Sequence, residues 1–328
     1  MTRGFTAITT MKNEGAFLLD WLAHHRAVGF TDFLVFSNDC DDGTDAMLNR
    51  LAQIGALTHV PNPGPWPEGP QWAALRVADR HPALQAADWV MVLDVDEYVN
   101  IHAGNGTLSD LLAAYPQADA IPLTWRMFGN AGVVGYEDRP VTRQFTRCAP
   151  RVLHWPWRAL MVKTLFRRAA FGKLGVHRPR GPKGNPVWSD PTLGERLFSA
   201  PGTDPYRDAQ LNHYALGAME SYIVKCDRGR ANRDGAAFDM SYWCDRNFCT
   251  DADTTIQRVD SAALRAALHA DPTLAALHQA AVAWRHRRFA TLMAEEPWRA
   301  LFGRLLMTPP AQSLTASQAA LIRRHRAP

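Results

Sequence analysis

No stretch of this 328-residue chain stays apolar for the roughly 18 residues that a membrane span requires. A protein that threads the bilayer is therefore not expected. Met1 to Glu14 lack the basic, apolar and small-residue order of a secretory leader. Cysteine is sparse: there are five, an odd number without a paired framework, which fits reduced thiols rather than a disulfide scaffold. Cys244 and Cys249, with His213 upstream, are poorly spaced for zinc. Internal repeats, low-complexity tracts and an RNA-recognition signature are also missing, so neither a repeat array nor a nucleic-acid binder is expected. These absences predict a cytoplasmic protein, with peripheral association at the inner face of the membrane left open.

What remains is ordinary for a globular chain: 47% hydrophobic and 21% charged residues. The length suits one large domain or two small ones. Eleven tryptophans are many. Most are core residues, although Trp125, Trp155, Trp157 and Trp188 have the ring type that stacks on sugars. The net charge of +4 is unevenly spread: residues 139 to 183 hold 12 Lys or Arg and no Asp or Glu. A basic block in an otherwise acidic chain points to an anionic partner, a solvated face being the alternative for most of its members.

The N-terminal third alternates between strand and helix patterns. Phe5 to Met11, Phe33 to Ser37 and Ala56 to Val60 read as strands, with helices over Ala16–Val28 and Gly43–Ile54. That order predicts a parallel sheet with right-handed crossovers. Trp89 to Leu93 is a further apolar strand, Ala120 to Trp125 another, and Val162 to Phe166 a late one. Glu137 and Asp138 are placed to open a helix. His177 to Thr203 reads as a loop, and Ala218 to Arg233 as a helix. Ser261 to Arg324 is almost all helix, broken at Asp271-Pro272 and Thr308-Pro309-Pro310. The predicted organisation is an α/β domain over 1–255 and a helical C-terminal extension over 256–328, packed on that domain or on a partner subunit.

The chemistry sits where strands end. Asp94-Val95-Asp96-Glu97-Tyr98 follows the apolar strand, and alternation sends Asp94 and Asp96 to one side. Two adjacent carboxylates favour a hard cation such as Mg²⁺ or Mn²⁺, which keeps positions open for substrate phosphates. Thr10 to Glu14 and Asn38 to Asp42 are polar turns after two other strands. In open parallel sheets ligands bind at the carboxyl ends of strands. Three polar turns at that edge point to one site.

The ordered set Met11-Lys12-Asn13-Glu14, Asn38-Asp39-Cys40-Asp41-Asp42-Gly43-Thr44 and Asp94-Val95-Asp96-Glu97-Tyr98 resembles family 2-type glycosyltransferases of GT-A fold. Lys163-Thr164-Leu165-Phe166-Arg167, His177-Arg178-Pro179 and Asn212-His213-Tyr214 resemble the bacterial branch related to family 92. The resemblance implies a Rossmann-like, mostly parallel sheet flanked by helices and a nucleotide-sugar donor. It implies that Thr10, Asn13, Glu14, Asp39 and Asp94 bind the donor, with Lys163, His177 and Arg178 at its diphosphate or an acidic acceptor. Asp94, Asp96 and His213 would hold the Mn²⁺ or Mg²⁺. A carboxylate must serve as base toward the acceptor hydroxyl. Asp138 is the first choice and Asp190 the second, with helix capping the competing role for Asp138. The Gln-x-x-Arg-Trp segment of membrane-embedded polymerising synthases is absent. The expected activity is inverting transfer of one sugar from a UDP- or GDP-sugar to a glycan or other hydroxyl. The alternatives are a GT-A-like binding module without turnover and a binder of anionic polymers. Oligomeric state is left open.

Overall fold

The computed structural model describes residues 4–194, 196–229 and 239–325. Its centre is an eight-stranded mixed sheet. The strands are β1 Phe5–Met11, β2 Asp32–Ser37, β3 Thr58–Pro61, β4 Trp89–Val92, β5 Glu97–Ile101, β6 Ala120–Met127, β7 Val162–Arg167 and β8 Ala209–His213. They lie in the order β3-β2-β1-β4-β7-β6-β8-β5. The β3-β2-β1-β4 half is parallel throughout. β7 runs antiparallel to both of its neighbours, β8 is parallel to β6, and β5 closes the edge antiparallel to β8.

Every residue of β1 and β4 is buried, as strands covered on both faces must be. Alternation divides their side chains. Ala7, Val35 and Met91 enter the larger core beneath helices α1 (Gly15–Val28) and α2 (Thr44–Gln53). Ile8, Leu34, Phe36, Val90 and Val92 pack on the opposite face against Ala74, Leu75 and Ala78 of α3 (Pro70–Ala78). The expected Rossmann-like α/β architecture with a helical C-terminal region is thus the one observed.

After α4 (Leu108–Ala114), the chain completes the sheet and enters α5 (Met219–Arg228) and the short α6 (Met240–Cys244). Four helices follow: α7 Ala262–His269, α8 Pro272–Leu292, α9 Glu296–Met307 and α10 Ala316–Arg324. α8 lies against α1, α2 and α5. Asp271 caps its N-terminus by accepting from the Leu274 amide at 2.9 Å, and pairs with Arg50 of α2 at 2.6 Å. The approach to α1 is close enough that a Cβ on Gly15 would come within 2.9 Å of the Ala281 methyl. Among the described residues no helix is long and apolar enough to cross a membrane, and all five cysteines are free thiols.

Three expectations change. β5 and β8, not anticipated from hydropathy, are strands paired with each other. Glu137 and Asp138 do not open a helix. They precede a single turn, Val141–Gln144, whose N-cap is Pro140, and a proline disfavours helical backbone in the residue before it. The helix expected to Arg233 ends at Arg228, residues 230–233 lying outside the described residues.

Two adjacent histidines of α1 are buried as neutral rings. His24 Nε2 lies 2.8 Å from the Val99 carbonyl. His25 donates from Nδ1 to the Trp21 carbonyl at 2.9 Å and accepts the Val99 amide at Nε2. Burial lowers the His24 pKa to about 4 and holds His25 well below its ordinary value. The unfolded chain therefore binds more protons than the fold. This contribution to stability is complete above about pH 6.5 and is lost as pH falls toward 4, by up to about 1.4 kcal/mol per pH unit for each ring. Urea denaturation between pH 7 and 5 is expected to show the decline, and His24→Gln to flatten it. A level profile over that window would contradict the neutral assignment.

Candidate active site

The carboxyl edge of the parallel half is built from turns tied to one another. Asn13 and Asp39 both take left-handed backbone, with φ of 54° and 44°, which short polar side chains tolerate best after glycine. Asn13 Oδ1 accepts the Asp41 amide at 2.7 Å. Asp42 spends one carboxylate oxygen on the Gly15 amide at 2.9 Å and the other on the amide and hydroxyl of Thr44. Thr44 Oγ1 in turn accepts the Glu14 amide at 3.0 Å. The second turn thus caps the first helix, satisfying donors at the N-terminus of α1.

Asp94 to Glu97 form a tight turn between β4 and β5 rather than a continuation of the strand: the Glu97 amide donates to the Asp94 carbonyl at 3.0 Å. Asp94 and Asp96 nevertheless face the same cavity. Each carboxylate has its own ammonium. Lys163 of β7, fully buried, reaches Asp94 at 3.2 Å and Glu97 at 3.4 Å. Lys225 of α5 reaches Asp96 at 2.7 Å. Gln71 of α3 also donates to Asp94 at 2.9 Å. Glu97, with no exposed surface, accepts from the Trp125 indole at 2.6 Å and the Asp94 amide at 2.8 Å.

Burial opposes the charge on Asp96, but Lys225 and His213 outweigh it and hold the carboxyl well below the usual range. Burial also opposes the Lys163 charge, and the Asp94 and Glu97 carboxylates override it, so the ammonium's pKa rises. The imidazoles behave differently. Burial, then Lys163, takes His177 down to about 4, with Nδ1 donating to the Val162 carbonyl at 2.9 Å. Burial likewise lowers His213. At neutral pH both rings are uncharged, so His177 offers a phosphate no positive charge.

The cavity has a volume of about 580 Å³. Thr10, Glu14, Asp94, Asp96, His177 and His213 line it, and Lys163 touches it through Asp94. Asn13 lines a smaller adjoining pocket of about 60 Å³. Asp39 is exposed, accepting the Gly64 amide at 3.3 Å. Arg178 turns to the Gly194 carbonyl at 2.8 Å. Neither proposed base lines the cavity: Asp138 pairs with His278 of α8 at 3.0 Å, and Asp190 is exposed in a turn that accepts from Thr192. Several wall residues carried no signal recognised in the sequence. Lys225 and Arg228 come from one face of α5, and Arg228 binds both Glu14 and the Lys12 carbonyl. Tyr242, Asp245 and Arg246 come from α6 and its C-terminal end. The polar helix following Asn212-His213-Tyr214 was the available clue.

The donor atoms suited to a cation are oxygens of Asp94 and Asp96 and a nitrogen of His213. His213 Nε2 and Asp96 Oδ1 stand 3.6 Å apart, and His213 Nδ1 is buried without a hydrogen-bond partner among the described residues. Among those residues no three His, Cys, Asp or Glu side chains are grouped to hold a metal by themselves. The arrangement fits an ion of the Mg²⁺ or Mn²⁺ type, which takes one or two protein carboxylates and completes its shell with water and phosphate.

A Rossmann-like mixed sheet that brings paired acids to the carboxyl edge of its parallel half defines the GT-A class. Residues 7–233 match the sequence model of glycosyltransferase family 92, and the chain belongs to that family. A glycosyltransferase family 92 protein of Oryza sativa subsp. japonica is 26% identical over 143 residues, covering 42% of this chain and 24% of that protein. One from Ricinus communis is 29% identical over 102 residues, covering 29% and 17%. The matched stretches thus span about a quarter or less of these relatives. Among solved structures, S. aureus TarS is 18% identical with a TM-score of 0.33, covering 51% of this chain and 29% of that one. TarS 1–349 in complex with UDP is also 18% identical, with a TM-score of 0.32, covering 51% and 47%.

The Lys163–Glu97 contact joins two side chains without exposed surface. Burial raises the Glu97 pKa to about 8 against the pull of Lys163, so loss of the ammonium is met by protonation of Glu97 and costs about 3 kcal/mol, the lower end for a broken buried pair. Lys163→Met is expected to lose that much in urea denaturation, and Lys163→Met with Glu97→Gln to lose clearly less. Equal losses would show that the pair is not coupled.

Proposed function

We propose that this chain transfers a single sugar from a UDP- or GDP-sugar to a hydroxyl of a glycan or other acceptor, with inversion and with Mn²⁺ or Mg²⁺. The observation that carries this reading is the convergence of Asp94, Asp96 and His213 with Lys225 and Arg228 on one strand-edge cavity. When bound, the cation would offset the charge that builds on the departing diphosphate. Asp96 and His213 would hold it, with Asp94 beside them. Lys225 neutralises Asp96 in the unliganded protein. With the Arg228 guanidinium, it supplies the positive field that favours a nucleoside diphosphate at this edge.

The base must lie on the cavity wall. Glu14 is held by Arg228. Asp239 accepts the Tyr242 amide at 3.0 Å as the cap of α6. Asp245 lines the cavity, and its side chain has no ion pair or hydrogen bond among the described residues. It is therefore the carboxylate most available to take the proton of an attacking hydroxyl, in place of Asp138 or Asp190. The membrane-side, cytoplasmic location anticipated above is part of the same proposal and is carried by the sequence alone.

Two substitutions test these roles. Asp96→Ala is expected to lower turnover of a UDP- or GDP-sugar by about a hundredfold or more, equivalent to the several kcal/mol of charge stabilisation at stake. It should also abolish the thermal shift produced by Mn²⁺ with UDP. Undiminished turnover would remove the metal role. Asp245→Asn is expected to lower kcat by about 10²–10⁴ with little change in the donor KM, while Asp138→Asn keeps kcat near that of the unaltered protein. The opposite ranking would return the base to Asp138.

A further inference from the structure

We propose that the acceptor is anionic, and that Arg158 and Arg246 form the clamp that takes its negative group. The proposal rests on the glycosyl-transfer reading and names the substrate class on its acceptor side.

Of the basic block at residues 139–183, most members are committed elsewhere. Arg151 pairs with Asp204 and Arg167 with Asp119. Arg147, Arg168, Arg178 and Arg180 donate to backbone carbonyls. Arg158 differs. It is exposed, lines the cavity, and has no ion pair among the described residues. Its guanidinium lies 5.0 Å over the Trp157 ring.

Arg246 lines the same cavity from the end of α6. It too is backed by an aromatic face, with its guanidinium 3.7 Å over the Tyr242 ring. Its Nε is buried without a hydrogen-bond partner, and it has no ion pair among the described residues. The one hydrogen bond of its side chain there, to the Tyr242 carbonyl, is long at 3.4 Å. A buried donor left unpaired is costly, and a planar fork of this kind is best satisfied by two oxygens of a carboxylate or phosphate. Two carboxylates share this rim. Asp239 is engaged as the cap of α6, and Asp245 is the assigned base.

In the reading proposed above, Lys225 and Arg228, beside the strand-edge acids, are assigned to the donor diphosphate. Arg158 comes from the segment before β7 and Arg246 from the turn after α6, and both line the cavity. Trp157 and Tyr242, each partly exposed, hold the two guanidinium groups against the cavity wall.

The test is calorimetric titration of the UDP-loaded protein with two matched pairs of glycans: hexagalacturonate against its methyl ester, and 6-phosphorylated maltohexaose against maltohexaose. At least one charged member is expected to bind about tenfold tighter or more than its neutral counterpart, as a charge-assisted bidentate contact requires. Preference within the first pair identifies a carboxylate, and within the second a phosphate. Arg158→Gln and Arg246→Gln should each abolish the preference while leaving UDP affinity unchanged, and Arg246→Lys should retain only part of it. Thermal melts confirm that the variants fold. Equal binding within both pairs, or a preference that survives both substitutions, overturns the clamp. Weakened UDP binding in the Gln variants overturns it as well, by assigning these arginines to the donor diphosphate. Failure of the unaltered protein to bind or turn over any nucleotide sugar would instead defeat the parent reading.

Discussion

Two ammonium groups carry the cost of placing Asp94, Asp96 and Glu97 in one tight turn. Like charges at such spacing raise each other's pKa and drive one another toward the neutral form. Lys163 comes from the antiparallel strand β7 and meets Asp94 and Glu97 from inside the sheet. Lys225 comes from α5 and meets Asp96 from the opposite side. The insertion of β7 between β4 and β6 is therefore an electrostatic requirement of the site as well as a topological detail. It delivers a buried cation to the end of the strand that precedes the acids.

The helices around this edge are coupled to it. Arg228, one turn beyond Lys225 on the same face of α5, fastens the turn after β1 through Glu14 and the Lys12 carbonyl. α8 then covers α1 and α5 together. Its Arg285 is buried 4.6 Å over the Phe17 ring and donates to Ser221 of α5. A helix almost three hundred residues into the chain thereby fixes the relative position of the first helix and the one that bears two cations of the cavity.

The parallel half of the fold was legible because its strands are short apolar runs separated by polar turns. β5 and β8 were not, since one buried face of each is polar, while Val99, Ile101 and Leu211 join the apolar core. Asn100 of β5 donates to Asn212 of β8 and to Thr255. Gln210 donates to Asn212 and Asp253, and Asp253 in turn pairs with the buried Arg126. Hydropathy has no signal for a strand whose interior contacts are hydrogen bonds. The strand-edge acids were readable as a motif, and the residues that neutralise them were not, because Lys225 lies 129 positions from its partner. Asp138 illustrates the converse. Its place in the chain recommended it as a base, and only the fold shows it turned to His278, 140 residues later. The basic block was visible as a sum of charges, while the partners that absorb most of it are dispersed through the sequence.

The knot of Asn13, Asp41, Asp42 and Thr44 has a thermodynamic consequence. Its hydrogen bonds are formed in the unliganded chain, and Asn13, like the neighbouring Asp39, is already in left-handed backbone. Ordering a loop on binding consumes part of the interaction energy, and a segment that is rigid beforehand avoids that loss. A nucleotide bound at this ledge, as proposed above, would meet a segment whose conformational entropy was already given up during folding.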